Sequence, residues 1–346
     1  MSFGPITLFD KSALQSLNLD ESVWFDNFYR PVISSLFFVE TLADLSKEVE
    51  AGRTPEQVVG NIAAKTPETG SVVSVDHGHL RIADLDGYPI EMNQRPHVAR
   101  GLRFEVDGRD GAFFDNAPEM VAFARWQRGD FLGVERDFAR QWRTALSTMD
   151  LTSFYPIVRS LGGGKAKLRD LAEARAIAAE MVHGNGRRYT TLKVAFDMLA
   201  IPPELRPRIL KRWKEAGGPS LDEFAPYAAY NLLVDLFFYL SLDAGLISSE
   251  RPSNRVDIAY LYYLPFCMIF TSGDSLHRRI TPLFLRNDQE FLWAPDLKAD
   301  LSRLDAHYAA LPDEVKAQGV AGFATGPPPD RDYLTTKLWD RFLPID

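Results

Sequence analysis

The chain has 346 residues, 46% of them hydrophobic and 25% charged, which is the composition of one large or two ordinary globular domains and excludes a disordered or fibrous protein. A net charge of −8 excludes a protein that coats nucleic acid with its whole surface, but it permits a carboxylate cluster beside a local basic patch. The single cysteine, Cys267, excludes an intrachain disulfide and a multi-cysteine zinc site; within the apolar run Leu264 to Phe270 it reads as a buried small hydrophobe.

In chain order, Ile6-Thr7-Leu8-Phe9 is a short β-prone run that ends at Asp10. Ser12 to Leu19 and Asp20 to Tyr29 are predicted helices, the second presenting Val23, Trp24 and Phe28, and Pro31 ends it. Val32-Ile33-Ser34 and Leu36-Phe37-Phe38 read as a buried strand feeding a helix that carries Glu40, Leu42, Ala43 and Leu45. From about Glu48 to Pro219 the chain is richer in Gly, Arg and polar turns. Val72 to Val75, Leu80 to Ala83 and Leu102 to Val106 are strand candidates there, and Pro118 to Ala145, Leu168 to His183 and Leu205 to Ala216 are helix candidates. Trp126 and Trp142 fall at helical positions suited to core anchors. Apolar periodicity returns with a long helix from Tyr227 to Leu246 and a helix from Val256 to Leu264 that Pro265 ends. A strand at Met268 to Thr271 and a turn at Gly273-Asp274 follow, then a short helix from Leu276 to Leu283. A helix through Leu304 and Leu311 and an aromatic tail from Tyr333 to Phe342 complete the chain.

Phosphodiester hydrolysis assisted by Mg²⁺ or Mn²⁺ needs carboxylates that converge on one point. In open parallel α/β sheets such groups stand at the carboxyl ends of strands. Asp10 and Asp274 each follow a predicted strand, Glu40 lies near the start of the helix after the second strand, and Asp257 opens a helix. Singly, each of these is an ordinary turn or cap residue; the four together carry the argument.

Ile6-Thr7-Leu8-Phe9-Asp10-Lys11-Ser12-Ala13-Leu14 resembles the opening of a PIN domain. Phe37 through Leu45, with Glu40 and Asp44, is similar to that family's second motif. Val256-Asp257-Ile258-Ala259-Tyr260-Leu261 with Ile269-Phe270-Thr271-Ser272-Gly273-Asp274 resembles the third. The match covers residues 5–47 and 220–290, and it departs from the family in the long stretch between the second and third motifs and in the extra Gly273. The resemblance implies an α/β fold, a PIN-like parallel sheet flanked by helices with a large, mostly helical insertion. The core is then 1–47 with 220–295, the insertion with its small β element is 48–219, and 296–346 forms a C-terminal helix and tail. It also implies a metal-dependent nuclease, RNA being favoured over DNA, with Asp10, Glu40, Asp257 and Asp274 as ligands of Mg²⁺ or Mn²⁺ or as water activators. Candidate substrate contacts beside them are Lys11, Ser12, Thr271, Ser272, Arg278 and Arg279. Asp44, one turn after Glu40, is either an auxiliary ligand or a solvent-facing helix residue.

Other signals are weaker. Arg187 to Lys214 holds eight basic residues against two acidic ones, with Tyr189 and Trp213 interleaved, and fits either a phosphate-tracking strip or a solvated helix face. Asp76, His77 and His79 suggest a zinc-binding His-x-His strand, but no third and fourth ligands follow beyond His97, so a polar hairpin is favoured. Gly162-Gly163-Gly164-Lys165 lacks the spacing of a phosphate loop. The expected location is cytoplasmic, since neither a leader nor a membrane-spanning run is legible. Two further possibilities are a non-catalytic PIN-like scaffold that binds a protein or nucleic acid through the insertion, and a toxin-like RNase held by a regulatory antitoxin protein.

Overall fold

The computed structural model describes residues 4–47, 52–68, 71–98, 101–106, 109–114, 117–160, 168–183 and 186–343. The triple-glycine segment Gly162-Gly163-Gly164-Lys165 lies outside them. The seven strands are β1 (Ile6–Phe9), β2 (Arg30–Ile33), β3 (Val72–Val73), β4 (Gly101–Val106), β5 (Arg109–Phe114), β6 (Ile269–Ser272) and β7 (Glu290–Trp293). Five form an all-parallel sheet in the order β3-β2-β1-β6-β7, and β4 and β5 pair as a separate antiparallel hairpin. The protein is therefore α/β, with a parallel sheet flanked by many helices and a mostly helical stretch between β3 and β6.

The chain forms two compact units. The first comprises Met1–Val75, Gln94–Ala145 and Phe266–Asp346; the second comprises Asp76–Asn93 and Leu146–Pro265. The stretch 48–219 is thus shared between them. Its first helix, Pro55–Lys65, leads into β3 and belongs with the sheet, whereas the described residues after Leu146 belong to the helical unit.

The sheet of the first unit is built from the two ends of the chain. Parallel strands covered on both faces carry near-continuous apolar runs, and β1 and β6 meet that condition: Leu8, Phe9, Ile269 and Phe270 are fully buried. Between β1 and β2 run the helices Lys11–Ser16 and Leu19–Phe28. The second is started by a capping box, in which Asn18 accepts from the Glu21 N–H and the Glu21 carboxylate accepts from the Asn18 N–H. Its inner face sets Phe25 edge-on to Phe9 at 5.7 Å and stacks Trp24 on Tyr308 of the helix Ala294–Ala309 at 4.6 Å. The Trp24 indole N–H also reaches Asp305 at 2.9 Å. On the other side of β2, Phe37 of the helix Ser35–Ala43 meets Phe9 at 4.9 Å. Leu36, Phe37 and Phe38, read from sequence as part of a strand, belong to this helix because Ser34 caps it by accepting from the Phe37 N–H. Trp126 is buried as expected, while Trp142 is only half-buried and stacks on the exposed Phe138.

The second unit is helical around Pro226–Asp243, whose residues from Tyr227 to Leu242 are buried apart from Tyr230. Leu80 to Ala83, expected as a strand, lies in the helix His77–Asp86. Asp76 caps its start by accepting from the Gly78 N–H, and Gly87, at φ +102°, ends it in the left-handed conformation. His77 and His79 are therefore two residues apart on a helix and do not share a face. The His77 ring stacks on Tyr262 at 4.8 Å and bonds the Tyr263 hydroxyl, and burial pushes its pKa down to about 4. Val256 to Leu264 is helical in two parts, an α-helix at Asn254–Ala259 and a 3-10 helix at Tyr260–Phe266 that contains Pro265. Among the described residues no helix is long and apolar enough to cross a membrane.

Candidate functional site

The sheet order contains one reversal. From β1 the chain moves to β2 and β3 on one side, and from β6 it moves to β7 on the other. The crevice outside the carboxyl ends of β1 and β6 is therefore the topological switch point, where open α/β sheets bind ligands. The register pairs Phe9 with Thr271, and the Asp10 N–H donates to the Thr271 carbonyl at 3.3 Å. Asp10 and the segment Ser272-Gly273-Asp274 thus leave the sheet side by side at this edge.

Both aspartates begin a helix. Asp10 Oδ1 accepts from the Ala13 N–H at 2.8 Å, and Asp274 Oδ1 accepts from the Leu276 N–H at 2.6 Å. The remainder of each carboxylate meets the other strand end. Asp10 Oδ2 accepts from the Ser272 hydroxyl at 2.7 Å and lies 3.3 Å from His277 Nδ1, while the Ser12 hydroxyl reaches both Asp10 oxygens at 2.8 Å. Ser272 Oγ lies 2.8 Å from His277 Nδ1 and accepts from the Asp274 N–H at 2.9 Å, so one hydroxyl links the two aspartates. Gly273, the additional residue of the motif, donates its N–H to Ser12 Oγ at 2.9 Å; a Cβ at Gly273 would come within 3.3 Å of that oxygen.

Burial alone would raise the Asp10 carboxyl. The bond to His277 and its charge, with the Ser272 and Ala13 bonds, outweigh burial and hold the carboxyl below its ordinary range. His277 itself is fully buried. It was not singled out from the sequence, although it stands one helical turn after Asp274 and so faces back toward the strand ends.

The other expected residues divide. The Lys11 ammonium bonds both oxygens of Asp44, at 3.0 and 3.1 Å, and the Glu40 carbonyl at 3.2 Å, which ties the end of β1 to the helix that carries Glu40. Asp44 is buried and also pairs with Lys47 at 2.5 Å, so it is not the solvent-facing residue of the second reading, and its carboxylate is shared by two lysines. The Glu40 side chain is half-buried. Thr271 and Ser272 are fully buried, Ser12 is half-buried, and Arg278 and Arg279 are exposed, with Arg278 lying over the Trp293 ring at 4.8 Å. Asp257 lies on the helix Asn254–Ala259 of the second unit.

Among the described residues, no three His, Cys, Asp or Glu side chains gather as a metal-binding group. Mg²⁺, however, is commonly held by only one or two carboxylates together with waters and substrate phosphates. Asp10 and Asp274 are the carboxylates at this edge on which that smaller requirement would draw, and both Asp10 oxygens already accept hydrogen bonds. They supply hard oxygen donors at one sheet edge, and the Asp274 hydrogen bonds among the described residues fall on Oδ1 alone, leaving Oδ2 for a cation. Comparison of the chain with protein-family models, curated proteins and solved structures returned no significant match.

Proposed function

We propose that the first unit is a PIN-like, metal-dependent nuclease that hydrolyses phosphodiester bonds at the crevice between β1 and β6, with RNA favoured over DNA by the resemblance of its motifs. One observation carries this reading: Asp10 and Asp274 follow the carboxyl ends of adjacent parallel strands at the switch point and are linked through Ser272. Asp10 and Asp274 hold Mg²⁺ or Mn²⁺, with Glu40 the further carboxylate of the same unit; the cation supplies charge neutralisation of the phosphate and activation of water. Ser12, Ser272 and His277 fix the Asp10 carboxylate in position, as hydrogen-bonded neighbours of metal-binding carboxylates do. The exposed guanidinium groups of Arg278 and Arg279, on the helix that Asp274 starts, are suited to phosphate oxygens.

A second reading has its own support. Both Asp10 oxygens already accept hydrogen bonds, and no three ligating groups gather among the described residues, which suits a non-catalytic scaffold. The deciding experiment is cleavage of labelled single-stranded RNA and DNA with Mn²⁺ by the wild type, Asp10→Asn and Asp274→Asn. The nuclease reading expects cleavage by the wild type and its loss in both folded variants. Equal cleavage by all three proteins, or cleavage that persists in EDTA, overturns it, and a well-folded wild type that cuts neither substrate favours the scaffold.

A further inference from the structure

We infer that the second unit carries a binding surface for single-stranded polynucleotide on the helices Arg188–Met198 and Arg206–Glu215. The surface is a shallow open hollow of about 540 Å³ lined by Gly186, Arg188, Trp213, Lys214, Gly217 and Gly218. Tyr189 stands beside it with its ring centroid 6.0 Å from that of Trp213, and Lys193 lies 5.8 Å from the Tyr189 centroid.

Three features favour this ligand. The first is charge. Arg187, Arg188, Lys193, Lys211 and Lys214 are all exposed on a protein whose net charge is −8, and Glu215 is paired to Lys211 at 3.8 Å. Lys214 forms no ion pair among the described residues, and the contact of Arg188 to the Gly218 carbonyl is long, at 3.4 Å, so both cations remain available to phosphate. The other cations of the second helix are committed elsewhere: Arg206 to Asp197, Arg208 to Asp86, and Arg212 to the Leu85 carbonyl and the Phe224 face.

The second feature is a fixed aromatic platform. The Trp213 indole N–H donates to the Pro219 carbonyl at 2.9 Å, which sets the plane of the ring. Gly217 and Gly218 turn the chain with φ of +83° and +68°, and a Cβ at Gly218 would lie 3.2 Å from the indole, so glycine lets the ring rest against the backbone. Tyr189 keeps 47% of its surface exposed, a large apolar face presented to solvent beside cations. The third feature is the combination. Unpaired bases stack on aromatic faces while the backbone follows the cations, whereas a paired duplex keeps its bases stacked on one another. The ring faces do not discriminate among bases, so the surface takes ribose and deoxyribose strands without sequence preference.

The inference is independent of cleavage, because affinity is read in EDTA on the full chain. The experiment is fluorescence anisotropy of labelled oligouridine and oligothymidine across a salt series, using the wild type, Arg188→Glu/Lys214→Glu and Tyr189→Ala, with circular dichroism and thermal melting to establish that the variants fold. The expected result is tight, salt-sensitive binding by the wild type. Tyr189→Ala loses roughly tenfold in affinity through lost stacking. The double variant loses at least as much, and its salt slope falls by about 1.4, the value for two lost contacts to a single strand. Affinity is scored in EDTA and cleavage is scored separately with Mn²⁺, which separates a failure of this surface from a failure of the nuclease reading. Wild-type affinity in both surface variants, no binding by the wild type, or equal displacement by polyglutamate or duplex DNA overturns the inference.

Discussion

Truncating Asp10 tests whether its carboxylate is held by attraction or crowded by like charge. In a site of closely packed, mutually repelling carboxylates, removing one relieves repulsion and the fold gains stability, the usual trade of stability for activity. The arrangement around Asp10 points the other way. Its carboxyl is held below the ordinary range despite burial, so its hydrogen bonds and the His277 charge outweigh the desolvation cost. Asp10→Ala removes the cap from the Ala13 N–H, worth about 1 kcal/mol. It also removes the acceptor facing His277, worth roughly 1.5–3 kcal/mol for a bond to a charged group. Ser12, half-exposed, turns to water, and Ser272 retains its contact with His277. The expected loss is about 3 kcal/mol, measured by urea unfolding followed by circular dichroism at pH 7. Asp10→Asn preserves the acceptor for Ala13 and loses about 2 kcal/mol, because its amide replaces an acceptor by a donor opposite Ser272 and His277. The pH dependence follows from the sign of the shift. A depressed folded pKa gives stability that is present above the unfolded value near 4 and is lost as pH falls through the lower folded value. The gap between wild type and Asp10→Asn must therefore narrow on acidification from pH 7 to pH 3. A variant more stable than the wild type at pH 7, or a gap that widens in acid, would refute the reasoning.

Two further predictions concern groups away from the site. Asp84 Oδ2 accepts from the Tyr227 and Ala228 N–H groups at 2.8 and 2.9 Å, and burial pushes its pKa up to about 6. Stability from this group is complete below about pH 4 and is lost as pH rises through 6, so Asp84→Asn, which keeps an acceptor without the charge, gains up to about 3 kcal/mol on the wild type by pH 7. Denaturant unfolding at pH 4.5, 5.5, 6.5 and 7.5 measures this, and a difference that stays flat across the series rules it out. Cys267 is buried and its thiol is pushed up to about 12, so the folded protein is expected to leave a disulfide reagent such as DTNB unreacted at pH 8, one thiol appearing only in denaturant; stoichiometric labelling of the native chain would contradict the placement of Cys267.

The sheet was legible where short-range chemistry decides structure. Ile6 to Phe9 and Met268 to Thr271 are apolar runs stopped by polar residues, and both emerge as central strands. The edge strand β7 was not legible. Glu290-Phe291-Leu292-Trp293 buries only Leu292, so it has neither the continuous apolar run of a central strand nor a long alternation, and only its pairing with β6 defines it. Leu80 to Ala83 was misread for a related reason. Apolar residues there suit a strand or a helix, and the caps at Asp76 and Gly87 decide for the helix. His277 escaped because its significance lies in Asp10, near the other end of the chain, and no local pattern reports a contact closed by sheet pairing.

Asp10 and Asp274 illustrate why a capping role and a functional role need not compete. A strand that passes within a residue or two into a helix leaves the capping residue near the carboxyl edge of the sheet with its side chain over the first helical turn. An aspartate there caps with one oxygen, and the bidentate carboxylate still presents the other. At Asp274 the capping bonds from Leu276 and His277 fall on Oδ1. At Asp10 the Ala13 bond falls on Oδ1, and Oδ2 faces Ser272 and His277 across the switch point. Asparagine preserves the cap through its single carbonyl oxygen but replaces the second oxygen with a donor. Asp→Asn at these two positions therefore separates the roles: the helix start is retained, and only what depends on the second oxygen is lost.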